Sequence, residues 1–201
     1  MKKFIALAVG ASFLFVFSAV GATKKEKIDK YEHWLKEEVK LLITQEEEKE
    51  FKKLKTDEEK DEFIEIFWAK RDPSSGTKEN EFKDEWYQRL DYVNKTFTSG
   101  PRKGWRCDMG KVHMFFGPPS STSATAGTKR DDPMGGSQIE ASSETWIYQP
   151  MPDLGLLEAF RVTFREYQFG YDLDQQTPQS ILRALEIFRQ RVIFNADLKT
   201  L

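Results

Sequence analysis

The chain has 201 residues, of which 32% are charged and 13% aromatic, and its formal net charge is −2. This composition is typical of a globular protein and excludes a largely disordered one. The charge balance argues against a nucleic-acid partner, because proteins that bind nucleic acid normally carry a basic surplus or a basic stripe.

Residues 1–22 have the order of a secretory signal peptide. Lys2 and Lys3 precede an apolar run over residues 4–20, and small residues up to Ala22 suit a signal peptidase. We therefore expect cleavage near Ala22, a periplasmic or secreted protein, and no stable membrane span once the segment is removed. The alternative is an inner-membrane anchor, since the uncleaved run is nearly long enough to cross a bilayer.

Residues 23–99 are predicted to form helices. Apolar residues at steps of three and four predict a first helix over residues 28–43. Thr44 and Thr56 are each followed, three residues later, by a glutamate, and these two capping boxes predict the starts of the second and third helices. A fourth helix is predicted over about residues 77–97.

Residues 100–201 are predicted to form a small, mostly antiparallel sheet and a closing helix. Residues 109–116, which are rich in Met, Val and Phe and which a Gly-Pro-Pro sequence ends, are predicted to form a buried central strand. Alternating or aromatic-rich segments predict further strands at residues 145–148, 160–165 and 170–174. Thr177 followed by proline predicts the start of the last helix. Helices, then strands, then a closing helix indicate an α+β fold, and we expect residues 23–201 to form one domain.

Residues 120–143 are predicted to be a flexible loop. The segment is rich in Ser, Thr, Ala and Gly, and it has almost no apolar residues and no period. Because it cannot bury enough apolar surface to offset the entropy of ordering, we expect it to be mobile and to lie outside the core. Replacing residues 121–138 with a short linker should then leave the fold intact. The alternative is a lid or a segment that binds a partner.

Several sequence blocks lead to a Gly-Trp-x-x-Asp signature. Their residues are Phe67, Trp68, Arg71, Asp72, Pro73, Asn80, Glu81, Arg89, Gly104, Trp105, Asp108 and Gly110. Over about residues 30–170, the chain resembles the GWxTD domain family of bacterial proteins, except that Cys107 stands where the family usually has Thr. The family has no established activity, so the resemblance implies an exported bacterial context and no particular reaction.

The carboxylates in these blocks suggest one catalytic hypothesis. Glu81, Glu85 and Arg89 step by four along the predicted fourth helix, which places them on one side of it. Two of the residues Glu81, Glu85 and Asp108 could then serve as the acid and the base of a hydrolase.

The alternative, which we favour, is a structural network. In this network Asp72 is a capping residue, either Arg71 or Arg89 pairs with Asp108, and Glu85 supports Arg89. Trp105 is expected to pack where the helices meet the sheet, and Asp108 to hold an arginine or backbone donors, so both residues should stabilise the fold.

Cys107 and His113 could suggest a nucleophile and its base. Six residues of extended strand would separate them by about 20 Å, so we interpret Cys107 as a small, partly buried residue. A single cysteine excludes an internal disulfide and a cysteine-based zinc site. The two histidines lie in separate segments without a metal motif, so no metal or cofactor is expected.

The sequence therefore favours an exported, non-catalytic envelope module that binds a protein or a cell-envelope partner. No nucleophile, metal or phosphate-loop motif accompanies the predicted core. The hydrolase is the alternative function. The identity of the partner and the oligomeric state are left open.

Overall fold

The computed structural model describes residues 29–74, 76–131, 137–167 and 170–198. Within these residues six α-helices and two antiparallel sheets form the predicted α+β fold. The predicted signal peptide, residues 1–22, lies outside the described residues. Among the helices that are described, none has both the length and the apolar character needed to cross a membrane.

Four helices form the N-terminal part of the chain: α1 (Lys30–His33), α2 (Gln45–Phe51), α3 (Asp57–Ala69) and α4 (Glu81–Thr96). Both predicted capping boxes are present. The Thr44 hydroxyl accepts the Glu47 amide at 3.0 Å, and the Thr56 hydroxyl accepts the Glu59 amide at 3.2 Å. Local side-chain hydrogen bonds therefore begin α2 and α3 where the sequence predicts.

Two helix boundaries differ from the prediction, the first where a tertiary contact is made and the second where a local cap sets the start of the helix. The predicted helix over residues 28–43 is α-helical only to His33, and Trp34–Glu38 form a π-helical turn. The Trp86 indole fixes this turn by donating to the Glu38 carbonyl at 2.8 Å. Helix α4 begins later than predicted because Asn80 is its N-cap, accepting the Lys83 amide at 2.9 Å.

The largest difference from the prediction concerns residues 109–116, which form helix α5 (Asp108–Phe116) and not a strand. Met109, Val112 and Phe116 pack against the sheet, whereas Met114 packs among the N-terminal helices. Lys111 and Phe115 are the members of the segment 109–116 that are only partly buried, and their spacing of four is helical. Eight residues that are buried at all other positions are too few to distinguish a helix from a buried strand by their sequence period.

The main sheet has four antiparallel strands in the order β1-β4-β5-β6. Their bounds are Ser121–Thr125 (β1), Ser143–Tyr148 (β4), Phe160–Tyr167 (β5) and Gly170–Leu173 (β6). A separate hairpin consists of β2 (Thr128–Asp131) and β3 (Ser137–Glu140), and helix α6 (Gln179–Leu198) closes the fold. The predicted strands at residues 145–148, 160–165 and 170–174 are thus confirmed, the last of them ending at Leu173.

The predicted loop at residues 120–143 contains three strands, so the prediction of an irregular segment was wrong. Strand β1 pairs with β4, and β2 pairs with β3. All five side chains of β1 are exposed, so this strand lies outside the core as expected. Backbone hydrogen bonds, and not apolar burial, order such a segment, and composition does not reveal them.

Helix α5 lies between two hydrophobic clusters. The first cluster contains residues of the N-terminal helices together with Trp105 and Met114. The second contains inward-facing residues of the sheet, with parts of α5 and α6. Phe97 and Phe115 pack against both clusters, so the segment that carries the signature joins the helical part to the sheet.

Candidate functional site: the signature turn and the adjoining groove

Two glycines allow the signature segment to approach its neighbours closely. Gly104 begins a 3-10 turn (Gly104–Arg106), and a Cβ on it would lie 1.7 Å from the Val93 carbonyl oxygen. A Cβ on Gly110 would lie 1.9 Å from the Gly104 carbonyl oxygen. Both distances are far below any real contact, so only glycine lets α4, the turn and α5 stack at this spacing.

Trp105 anchors the turn to the N-terminal helices. Its side chain is 6% exposed, and its indole donates to the Glu37 carboxylate at 3.0 Å. Lys103 and Arg106 contact the same carboxylate at 3.1 and 2.9 Å. Burial alone would raise the pKa of Glu37, but these three donors outweigh it and hold that pKa below its ordinary value. Trp105 is therefore buried as predicted, but it packs in the cluster of the N-terminal helices and not in that of the sheet.

Asp108 connects α5 to the edge of the sheet. Its carboxylate accepts the Leu173 amide at 3.0 Å and the Lys111 ammonium at 2.9 Å. Burial would raise the pKa of Asp108, yet the Leu173 amide, Lys111 and the nearby Arg102 together lower it. A carboxylate that is held ionised in this way is poorly suited to act as a general acid near neutral pH.

Cys107 is the N-cap residue of α5 and is buried, with its sulfur 3.5 Å from the Lys103 carbonyl oxygen. It makes no side-chain hydrogen bond to the helix amides. His113 lies six residues further along the helix, which corresponds to a rise of about 9 Å. The separation of Cys107 and His113 is thus shorter than the 20 Å predicted for a strand. It is still too long for the direct contact that a catalytic pair needs.

The structure assigns different partners to the predicted arginine network. Arg71 is buried and donates to both carboxylate oxygens of Glu47, at 3.0 and 2.9 Å. Arg89 reaches the Met114 carbonyl at 2.9 Å and pairs with Glu85. The predicted pairing of Arg71 or Arg89 with Asp108 is therefore wrong, because Glu47 engages Arg71 and the C-terminal end of α5 engages Arg89. The predicted support of Arg89 by Glu85 is confirmed.

Two other family-motif residues hold the ends of α3 and α4. Asp72 accepts the Ser74 amide at 2.8 Å, which is the turn cap that the sequence predicts. Asn80, besides capping α4, donates to the Trp68 carbonyl at 2.7 Å. Both residues therefore fix the connection between the two helices.

The three candidate carboxylates of the hydrolase hypothesis are not brought together. Glu81 lies in the first turn of α4 and is exposed, and Glu85 lies one turn further along the same helix. Asp108 lies toward the opposite end of α4, because Gly104 stacks there against Val93 and Gly110 stacks against Gly104. The described residues also contain no group of three or more metal-ligating side chains.

A groove lies beside the signature turn. It encloses about 270 Å³ and is lined by Ser99, Pro101, Arg102, Tyr167 and Asp172. Arg102 and Asp172 form an ion pair in it at 3.2 Å, and the Tyr167 side chain is 69% exposed. Past Tyr167 and Asp172, the groove continues into an open depression of about 570 Å³. Its aromatic and proline groups, together with its ion pair, offer both apolar and polar contacts to a ligand.

The sequence analysis did not identify the residues that the signature residues contact. Glu37 is one of many acidic residues in its region, and no pattern distinguishes it. Asn94 and Thr98 accept the amides of Trp105 and Gly104, at 3.3 and 3.0 Å. Tyr167 did carry a signal, since the alternation along β5 places it on the same outward face as Arg165.

The fold and the site thus define an α+β protein whose signature residues hold helices and sheet together beside an open groove. The profile of the GWxTD domain family matches residues 22–130, more than half of the chain. The chain therefore belongs to the GWxTD domain family. The match ends within β2, so the strands on the far side of the groove lie beyond it. No curated protein and no solved structure matches the chain.

Proposed function

We propose that this chain is an exported, non-catalytic module of the cell envelope, and that it binds a protein or envelope partner in the groove beside the signature turn. The observation that supports this proposal most directly is Tyr167. Its ring is largely exposed at a concave surface, next to Pro101 and the pair of Arg102 and Asp172. Exposed tyrosines and arginines of this kind are enriched among residues that dominate binding energies.

The contacts of the signature residues also favour binding over catalysis. Trp105, Asp108 and Arg89 each use their polar groups on other parts of the fold. A hydrolase would need two carboxylates that converge on one cavity, with at least one of them held protonated. The pKa of Asp108 is displaced in the opposite direction.

A capture experiment with matched variants tests the binding proposal. The wild-type protein, Tyr167→Ala and Leu157→Ala are used as baits in a pull-down from the native envelope. Leu157 is a suitable control because it is 75% exposed and does not line the groove. We expect Tyr167→Ala to lose the captured partner and Leu157→Ala to retain it. Equal capture by all three baits would contradict the proposal.

The proposed export has its own test, which is the intact mass of the protein recovered from the envelope. Removal of residues 1–22 should lower the mass by that of the segment. A mass that includes Met1 would refute cleavage and favour the anchor.

A further inference from the structure

The two edges of the main sheet differ in whether another part of the fold bonds to their outward backbone groups. At the β6 edge, the signature residue Asp108 accepts the Leu173 amide. At the opposite edge, β1 has β4 as its only neighbouring strand among the described residues. An edge strand with unpaired backbone groups is a template for another strand, and proteins usually protect it.

The register shows which backbone groups of β1 face outward. The Glu166 amide donates to the Ser142 carbonyl, so even-numbered residues of β4 are hydrogen-bonded to β5. The odd-numbered residues of β4 therefore bond to β1, where their partners are the odd-numbered residues 121, 123 and 125. It follows that Thr122 and Ala124 direct their N–H and C=O groups away from the sheet.

Among the described residues, the usual means of protecting an edge are missing from β1. Its sequence, Ser-Thr-Ser-Ala-Thr, has no charged residue and no proline, and its paired residues follow one another without a bulge. Every side chain of the strand is exposed. The strand thus offers a regular, uncharged edge with small side chains.

The geometry points to a second copy of this chain as the occupant of this edge, with the two β1 strands antiparallel about a twofold axis at Ser123. In this register Thr122 of one copy lies opposite Ala124 of the other. The outward N–H and C=O groups of both residues then form about four hydrogen bonds across the axis. The two four-stranded sheets become one continuous sheet.

A second copy fits this edge because the edge is complementary to itself. Its two outward residues are placed symmetrically about Ser123, so each donor meets an acceptor when the strand is turned end to end. Pairing of identical strands often brings like charges together, but β1 has none. This interface uses a different surface from the proposed groove, and either proposal can hold without the other.

The first test is sedimentation of the purified protein over a range of concentrations, combined with hydrogen exchange. Five residues bury little area, so we expect a weak dimer whose share rises with concentration. As the share of dimer rises, the amides of Thr122 and Ala124 should become protected from hydrogen exchange. Ala124→Pro should stay monomeric, because it removes an outward N–H while proline is tolerated at such an edge position. Ala124→Ser retains the N–H and should dimerise like the wild type.

The second test fixes the register and does not depend on proline. The twofold axis places the two Ser123 side chains side by side, so Ser123→Lys and Ser123→Glu should each be monomeric through repulsion of like charges. An equimolar mixture of the two variants should restore dimers, and added salt should weaken them.

Several outcomes would overturn the inference. They are a wild-type protein that is monomeric at all concentrations, an Ala124→Pro variant that folds and still dimerises, and a mixture of charged variants that does not associate. A monomer whose Thr122 and Ala124 amides become protected only with envelope extract would assign the edge to a strand of another protein.

Discussion

His113 is a buried histidine that stays uncharged at neutral pH. Its ring stacks on Tyr92 at a centroid distance of 4.6 Å and lies near Phe97 and Trp146. Its Nδ1 is buried without a hydrogen-bond partner among the described residues. Burial, and secondly the charge of Arg89, lower the pKa of His113 to about 4. Folding therefore favours the neutral imidazole.

This pKa predicts how stability depends on pH. Between about pH 6.5 and pH 4 the unfolded chain binds a proton on this histidine that the folded protein does not, so the free energy of unfolding falls as the pH falls. The full loss is about 3 kcal/mol. Denaturant melts at several pH values should show a flatter profile for His113→Phe than for the wild type. Equal slopes for His113→Phe and the wild type would contradict the assignment.

Cys107 occupies an N-cap position without capping it. Its backbone is in the extended region, with φ −76° and ψ 152°, where a hydroxyl side chain can accept an amide of the first turn. The threonine usual in the family would supply that hydroxyl. Cys107→Thr should therefore unfold at a higher temperature than Cys107→Ala, by the equivalent of about 1 kcal/mol. If the two variants melt alike, the threonine has another role.

At the scale of elements, Asp108 joins α5 to β6. Asp108→Ala leaves the Leu173 amide and Lys111 without their acceptor, so we expect a loss of about 1–3 kcal/mol in the free energy of unfolding. Asp91→Ala is the matched control, because it removes an exposed aspartate that pairs only along its own helix. The control should change stability by less than about 0.5 kcal/mol. Thermal melts that show equal stability for both variants would refute the structural role of Asp108.

The contact between α5 and the signature turn predicts a second effect. Gly110→Ala forces a methyl group against the Gly104 carbonyl, and since backbone cannot move aside easily the loss should reach about 3 kcal/mol. Gly76→Ala is a matched control, because a Cβ there has open space and φ is not positive. It should stay within about 0.5 kcal/mol of the wild type. Chemical denaturation measures the free energy of unfolding of both variants. A small loss in Gly110→Ala would show that α5 can shift to accommodate the methyl group.

At the scale of the whole molecule, the hairpin of β2 and β3 is separable from the sheet. The two strands pair only with each other among the described residues, and the Gly127 amide donates to the Ser142 hydroxyl at 3.2 Å, which keeps the ends close. Replacing residues 128–140 with a short Gly-Ser linker should leave the melting temperature nearly unchanged. The longer replacement of residues 121–138 also removes β1 and exposes β4, so it should lower the melting temperature, contrary to the sequence expectation. Equal melting temperatures of the two deletions would contradict this division.

Much of the fold could be predicted because its signals are local. The capping boxes at Thr44 and Thr56 lie within four residues of chain, and the alternation along β5 reports one exposed and one buried face. The signature was also readable as a block of sequence, with Trp105 buried as expected. The block could not reveal the hydrogen-bond partners of its residues, because these lie far away in the chain. Glu37, the partner of Trp105, is 68 residues away, and Leu173, the partner of Asp108, is 65 residues away.

By itself the sequence determined the α+β class, the starts of α2 and α3, the strands β4, β5 and β6, and the membership of the GWxTD family. Only the tertiary structure decided that residues 109–116 are a helix, because eight residues that are buried at most positions are too few for a helical period to be distinguished from a buried strand. It alone also decided which edge of the sheet Asp108 closes and which edge β1 leaves open. These last features depend on residues far apart in the chain meeting in space, and no pattern within a short segment encodes such a meeting.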